Sequence, residues 1–283
     1  MLLTASNLRH LRAQLIQWRQ AGDSIAFVPT MGALHQGHRA LIETAKKSAK
    51  RTAVSIFVNP LQFGPNEDLS KYPRNPEADK KLLEEVGADL LYMPSVADMY
   101  PEGFGTQIDP GPLAKILEGE HRPGHFQGVA TVVVKLLLQV LPDMAFFGDK
   151  DYQQLLILHH VARDLDLPVY IQAVPIVRDA DGLAFSSRNA YLSAAERERA
   201  VTLPDTLQDC AKKIRDGKDI SETLKEGRAA LEKAGFKVDY LELRHAHTLM
   251  PVSDNKGSDN KAPMRLLAAA RMGTTRLIDN LAV

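Results

Sequence analysis

The chain has 283 residues, 45% of them hydrophobic and 25% charged, the make-up of a globular protein with material for one large domain or two smaller ones. Lys plus Arg and Asp plus Glu both number 35, so no positive surplus draws in a phosphate backbone or an anionic membrane, which argues against nucleic acid as the main partner. The single cysteine, Cys210, cannot form an internal disulfide, the opening residues lack the unbroken apolar run of a secretory leader, and the longest apolar stretch, 129–141, is broken by Thr131, Lys135 and Gln139; a cytoplasmic protein without a membrane span is expected.

In chain order, Leu8, Leu11, Leu15 and Trp18 recur at helical spacing behind Ser6 and Asn7, which predicts a helix closing near Gly22. A short β-prone segment, 25–28, then runs through Pro29, Thr30, Met31 and Gly32 into a helix start around Gly37 and His38. The alternation repeats with a helix to Lys50, a strand 53–58, a helix 76–86, a strand 89–93, a helix 132–140, a strand 144–147, a helix 152–165 and a strand 169–177. Strands separated by helices predict a parallel sheet covered on both faces. After Arg178 the texture changes to a polar turn at 179–182, charged helices at 194–213 and 221–233, and strand-like runs at 238–243, 266–270 and 275–278, with a polar and mobile loop at 253–261. The expected organisation is an α/β domain over 1–178 and a smaller α+β domain over 179–283.

Three clusters carry chemistry. His35 and His38 fall at the turn between the first expected strand and its helix, where imidazoles and the unpaired N–H groups of a helix start face the edge at which open α/β sheets bind ligands. Such donors suit a phosphate chain and charge building up on a phosphoryl group. The pair also reads as metal ligands, though the Glu of a His-Glu-x-x-His site is missing, or as two surface histidines. In the second cluster, 147–154, Gly148 permits close backbone approach and Lys150 supplies a point charge for phosphate. Asp151 can accept from ribose hydroxyls and Gln154 can hold a polar substrate; alternatively, Asp149 and Asp151 only cap a helix. In the third, Ser186, Ser187 and Arg188 form a compact donor set for a triphosphate on a loop able to close, or a plain linker. Polar loops at 59–64 and at 119–128, the latter with His121, Arg122, His125 and Gln127, lie beside apolar segments, where binding groups concentrate, or serve as plain solvent loops.

His35-Gln36-Gly37-His38, within 29–38, resembles the His-x-Gly-His signature of the nucleotidyltransferase superfamily that also includes class I aminoacyl-tRNA synthetases. Ser55-Ile56-Phe57-Val58-Asn59-Pro60-Leu61-Gln62-Phe63-Gly64, together with 147–154, 181–189 and 240–244, resembles the pantothenate synthetase (pantoate–β-alanine ligase) family, in order and over nearly the whole chain. That resemblance implies a Rossmann-like N-terminal domain, a smaller C-terminal lid, a homodimer, and ATP with Mg²⁺. It implies catalytic roles for His38, His35, Lys150 and Arg188, with Ser186 and Ser187 completing the phosphate contacts. Gly148 and Asp151 would hold the ribose, Val177 would lie beside the adenine, and Met31 would also border the nucleotide. Pantoate would be held by Gln62 and Gln154, with Met31 and Phe63 against its methyl groups, and Asn59, Tyr72, Arg122 and His125 match family positions near the site. Some relatives have two acidic residues in a row where this chain has Ala78-Asp79, which leaves Asp79 as the carboxylate for the metal, reached through water.

The implied reaction is attack of the pantoate carboxylate on the α-phosphorus of ATP, giving pantoyl adenylate and pyrophosphate, followed by attack of the β-alanine amine and release of AMP. Rival readings are a nucleotidyltransferase that adenylates a mononucleotide, a nucleotide sensor without turnover, and a tRNA-linked protein; zero net charge argues against the last.

Overall fold

The structure is a computed structural model that describes residues 1–65, 67–252 and 262–283. The chain divides into two units, the first made of Met1–Asp149 and Gln154–Pro175 and the second of Lys150–Gln153 and Ile176–Val283. The polar loop expected at 253–261 lies outside the described residues.

The first unit runs β1 (Leu3–Ala5), α1 (Leu8–Gln20), β2 (Ile25–Thr30), α2 (Gln36–Ser48), β3 (Arg51–Ile56), α3 (Pro76–Val86), β4 (Leu90–Tyr92), α4 (Val96–Met99), α5 (Glu118–His121), α6 (His125–Val140), β5 (Met144–Gly148), α7 (Tyr152–Asp164) and β6 (Tyr170–Val174). The first two residues of α7 are counted with the second unit. All six strands are parallel, in the order β1-β4-β3-β2-β5-β6. Neighbouring residues of a strand point to opposite faces, and here both faces are apolar. Ile25, Phe27, Leu90, Tyr92 and Ala145 pack with Leu11, Leu15 and Trp18 of α1 and with Val133 and Leu137 of α6. Ala26, Val28, Leu91 and Phe146 pack with Ile42 and Ala45 of α2 and with Leu83 and Val86 of α3. The sheet is therefore covered on both sides, as the alternation of elements predicts.

Boundaries differ where local chemistry intervenes. β1, absent from the sequence reading, is three residues long and exists through its pairing with β4. The strand expected to reach 177 stops at Val174 because Pro175 has no N–H to give a ladder. The single helix expected at 194–213 is two, α8 (Ala194–Ala200) and α9 (Thr202–Arg215): the ring of Pro204 would meet the carbonyl of Ala200 in a continuous helix.

The second unit continues with α10 (Ile220–Lys233) and an antiparallel sheet β7 (Phe236–His245), β8 (Met264–Met272), β9 (Thr275–Ala282). Leu207, Cys210, Ala211 and Leu231 from α9 and α10 pack on Leu241, Leu243, Ala268 and Ala270. Ile176–Arg178, expected in the first domain, belong here, and Arg178 makes a two-pronged pair with the buried Asp279 at 2.7 and 2.9 Å. Lys150–Gln153 belong here too, because Asn280 donates to the Lys150 carbonyl and Tyr152 to that of Ala246, both at 2.9 Å.

Candidate active site

From β2 the chain crosses to β3 on one side of the sheet, and β5 fills the other, so the C-terminal ends of β2 and β5 flank the point where strand order reverses. That is where open α/β sheets bind ligands. The loop leaving β2 is tightly specified. Thr30 Oγ1 donates to the Ser55 carbonyl at 2.7 Å and accepts from the Gly32 N–H at 3.2 Å. Gly32 and Ala33 then take left-handed conformations in succession, φ 83° and 49°, and Asp79 of α3 accepts from the Ala33 and Leu34 N–H groups.

His35 is the N-cap of α2. Its Nδ1 accepts from the Gly37 N–H at 3.1 Å, while Nδ1 of His38 accepts from the His35 N–H at 3.2 Å, a capping box built from two imidazoles instead of Ser and Glu. The rings lie 4.1 Å apart between centroids. A main-chain N–H can only donate, so both Nδ1 atoms are bare and the proton of each neutral ring sits on Nε2. Two Nε2–H donors at a helix start, beside the N–H groups of its first turn, form an array for an anion.

A second network fixes Gln62 at the end of the turn Pro60–Gln62 that follows β3. Asn59 Nδ2 donates to Gln62 Oε1 at 3.0 Å and to the Gly128 carbonyl at 3.1 Å, and Tyr100 donates to Asn59 Oδ1 at 2.7 Å. With its oxygen taken, Gln62 presents its Nε2 donor, which lies 3.1 Å from the Met31 sulfur. The main chain is held as well: His125 Nδ1 is 2.9 Å from the Gln62 carbonyl, and Arg122 approaches His125 Nε2 at 3.1 Å through Nη1 while Nε and Nη2 donate to the two carboxylate oxygens of Glu67. Burial, reinforced by the Arg122 charge, pushes the His125 imidazole down to about 4, so the ring is neutral and donates from Nδ1. Phe63 packs edge-on against Tyr72, ring centroids 5.9 Å apart. Met31, His35, His38, Asn59, Gln62, Phe63, Tyr72, Asp79, Arg122 and His125 all lie in the first unit. Glu67 and Tyr100 escaped the sequence reading, which had Thr30 and Gly128 only as members of the turn 29–32 and the loop 119–128. Gly128 in fact lies inside the apolar helix α6.

Gly148 ends β5, beside β2, and a Cβ there would meet open space within 4 Å, so packing is not what calls for glycine. Gln154 lies in α7 and is counted with the first unit. Lys150, Asp151, Val177, Ser186, Ser187 and Arg188 belong to the second unit. There Val177 accepts from the Phe185 N–H at 3.0 Å, and Ser186 caps the turn Ser187–Tyr191 by accepting from the Arg188 N–H at 3.3 Å.

Asp79 was expected to serve a metal. Its carboxylate is 3% exposed and both oxygens accept main-chain N–H groups, at 3.0 and 2.7 Å. Burial raises its pKa, and the two N–H bonds work against that rise. Among the described residues no group of three or more His, Cys, Asp or Glu could hold a metal ion. These residues do not fit a protein-built Mg²⁺ cage.

A doubly covered parallel sheet, with an imidazole and N–H array at its switch point and an oriented amide donor alongside, defines an α/β enzyme acting on an anionic, phosphate-bearing substrate. The pantoate-beta-alanine ligase family profile matches residues 3–282. Pantothenate synthetases from Sphingopyxis alaskensis and Rhizorhabdus wittichii are 53% and 51% identical to the chain, covering 94% and 98% of it and 94% and 97% of their own lengths. Among solved structures, a pantothenate synthetase from Thermus thermophilus superposes with a TM-score of 0.91 at 47% identity, over 99% of this chain and 98% of that one. A pantoate-beta-alanine ligase from Francisella tularensis, complexed with beta-gamma ATP and beta-alanine, gives 0.84 at 34% identity, over 99% and 97%. The chain belongs to the pantoate-beta-alanine ligase family and is a ligase.

Proposed function

We propose that this ligase makes pantothenate in two in-line steps. The pantoate carboxylate attacks the α-phosphorus of ATP and expels pyrophosphate; the β-alanine amine then attacks the acyl carbon of pantoyl adenylate and expels AMP. The carboxylate is already ionised, so the first step needs alignment and charge neutralisation and no general base. The observation that carries this reading is the pair of imidazoles at the start of α2 whose Nδ1 atoms both accept main-chain N–H groups, which puts the ring protons on Nε2, the tautomer that can donate to phosphoryl oxygens. In-line displacement spreads charge over those oxygens, and fixed donors lower its cost.

His35 and His38 would stabilise the charge building up on the α-phosphate oxygens by donating from Nε2, with Lys150, Ser186, Ser187 and Arg188 on the remaining phosphates. Gly148 and Asp151 would take the ribose, Val177 the adenine, and Met31 would border nucleotide and pantoate alike. Gln62 Nε2, now on the Met31 sulfur, would exchange that weak acceptor for a pantoate hydroxyl, joined by Gln154, with Phe63 on the methyl groups. Mg²⁺ would arrive bound to the phosphates of ATP. The functional reading of the domains, ATP and pantoate on the N-terminal one and the C-terminal one as lid, belongs with these proposals, as do a homodimer and a cytoplasmic location. Among the described residues no helix is long and apolar enough to cross a membrane.

The test is AMP and pyrophosphate release from Mg-ATP and pantoate, with and without β-alanine, in wild type and in His38→Ala. AMP in equal amount to pantothenate, only when β-alanine is present, supports the ligase route. In His38→Ala, turnover is expected to fall roughly 100-fold or more with a far smaller change in the ATP dissociation constant. Wild-type turnover would remove His38 from the mechanism.

A further inference from the structure

The carboxylate of Asp79 sits where it governs how the histidine loop is held. Oδ2 accepts from Ala33 N–H and Oδ1 from Leu34 N–H, the two residues directly before His35. Asp79 is itself held by the start of α3, where Asn75 caps the helix by accepting from the Ala78 N–H and its carbonyl accepts from the Asp79 N–H at 2.9 Å. The loop it grips carries backbone strain. Ala33 lies at φ 49°, a region an L side chain visits at a cost, and Gly32 before it at φ 83°. The fit is close on the other side as well: a Cβ on Gly32 would lie 3.0 Å from Asp79 Oδ2 and 3.1 Å from Ile56 Cγ2. Beyond the clasp, the His35 N–H is the group that fixes the His38 ring, so any change in loop path reaches both imidazoles.

The same geometry speaks against a metal on this side chain. Mg²⁺ demands near-octahedral oxygen ligands and keeps most of its waters. A cation on these oxygens would face two N–H dipoles that already point their positive ends at them.

We propose that Asp79 is a positioning residue, a clasp from α3 onto the Ala33–Leu34 main chain that sets the registration of His35 and His38, and that it is not a ligand of the metal. The proposal rests on the reading of those histidines as phosphate donors.

Full-length Asp79→Asn and Asp79→Ala are assayed for pyrophosphate release with ATP and Mg²⁺ varied independently. An Asn keeps one acceptor but turns an NH₂ toward the other N–H. Turnover should fall roughly 10- to 100-fold, as for small misplacements of catalytic groups, while the ATP KM and the half-saturating Mg²⁺ concentration stay within about threefold. Gly32→Ala, which crowds the clasp from the loop side, should give the same pattern and decides the matter if the Asp79 variants do not fold. In wild-type protein, the Ala33 and Leu34 amide NMR resonances should be insensitive to Mg²⁺ added alone and should move in Asp79→Asn. A half-saturating Mg²⁺ concentration that rises with the lost activity, turnover restored by excess Mg²⁺, or resonances that follow added Mg²⁺ would overturn the proposal. Full activity in Asp79→Ala beside a dead His38→Ala overturns the clasp alone, whereas full activity in both removes the histidine reading beneath it.

Discussion

Single side chains here are set by the partners they face. His125 is the clearest case, because burial and Arg122 hold its imidazole down to about 4 against an ordinary 6.5. The sign follows from linkage: the unfolded chain takes up a proton as pH falls through about 6.5, while the folded chain resists until about 4. His125 therefore leaves stability intact above pH 6.5 and subtracts from it between 6.5 and 4, by up to about 3 kcal/mol. Denaturant midpoints measured across that window should fall with pH in wild type and fall less steeply in His125→Gln; equal slopes would show that another group titrates. Tyr100 makes a second case. Its hydroxyl orients Asn59, which in turn fixes the Gln62 amide. Tyr100→Phe should raise the pantoate KM several-fold, about 1 kcal/mol for one hydrogen bond, and leave the ATP KM unchanged. Of this layer the sequence discloses the residue types, His35, His38 and Gln62, and their place after strands, while the roles proposed for them come from the family resemblance. It does not disclose which atom of each is occupied. Asp79 looks like a metal carboxylate in one dimension and proves to face two main-chain N–H groups in three.

Elements are placed by backbone contacts that only small residues allow. α6 meets the Pro60–Gln62 turn at Gly128, where an added Cβ would lie 2.2 Å from the Leu61 carbonyl oxygen and 2.7 Å from the Gln62 nitrogen. Gly128→Ala must push helix and turn apart, so it should destabilise the protein by about 1–3 kcal/mol and weaken pantoate use while sparing the ATP KM. Thermal unfolding together with the two KM values checks this, and an unchanged pantoate KM would mean that the turn moves without carrying Gln62 along. The same glycine explains a gap in the sequence reading. With Gly124 and Gly128 four apart, 119–128 reads as loop and the helix is expected from 132, yet α6 begins at His125. Helix propensity alone penalises Gly128, and tertiary contact with the turn overrides that penalty. Elements whose signals are internal were legible, as with Pro76–Val86, where Asn75, Pro76 and Gly87 mark both ends. β1 was not, since three residues carry no period and the strand is defined by β4.

At the scale of the molecule, the two units keep separate cores. The clusters around Phe27 and Val28 and the cluster around Leu207 and Leu231 share no residue. Cys210 offers a built-in reporter of the second: it is buried, its thiol donates to the Thr223 carbonyl, and burial pushes its pKa up to about 11. A thiol in that state is inert to alkylation until the unit opens. Leu231→Ala removes a fully buried side chain from this core and should cost about 2–5 kcal/mol. If the second unit opens without the first, Cys210 alkylation in the full-length variant should accelerate by at least about 30-fold, the factor that ~2 kcal/mol represents. Amide exchange in β2, β3 and β5 should stay at wild-type rates in the same sample. Exchange rising equally across those strands would show instead that the chain opens as one cooperative body. In that case substitutions in the second core would lower the stability of the histidine loop as much as their own, and separate cores would not mean separate stabilities.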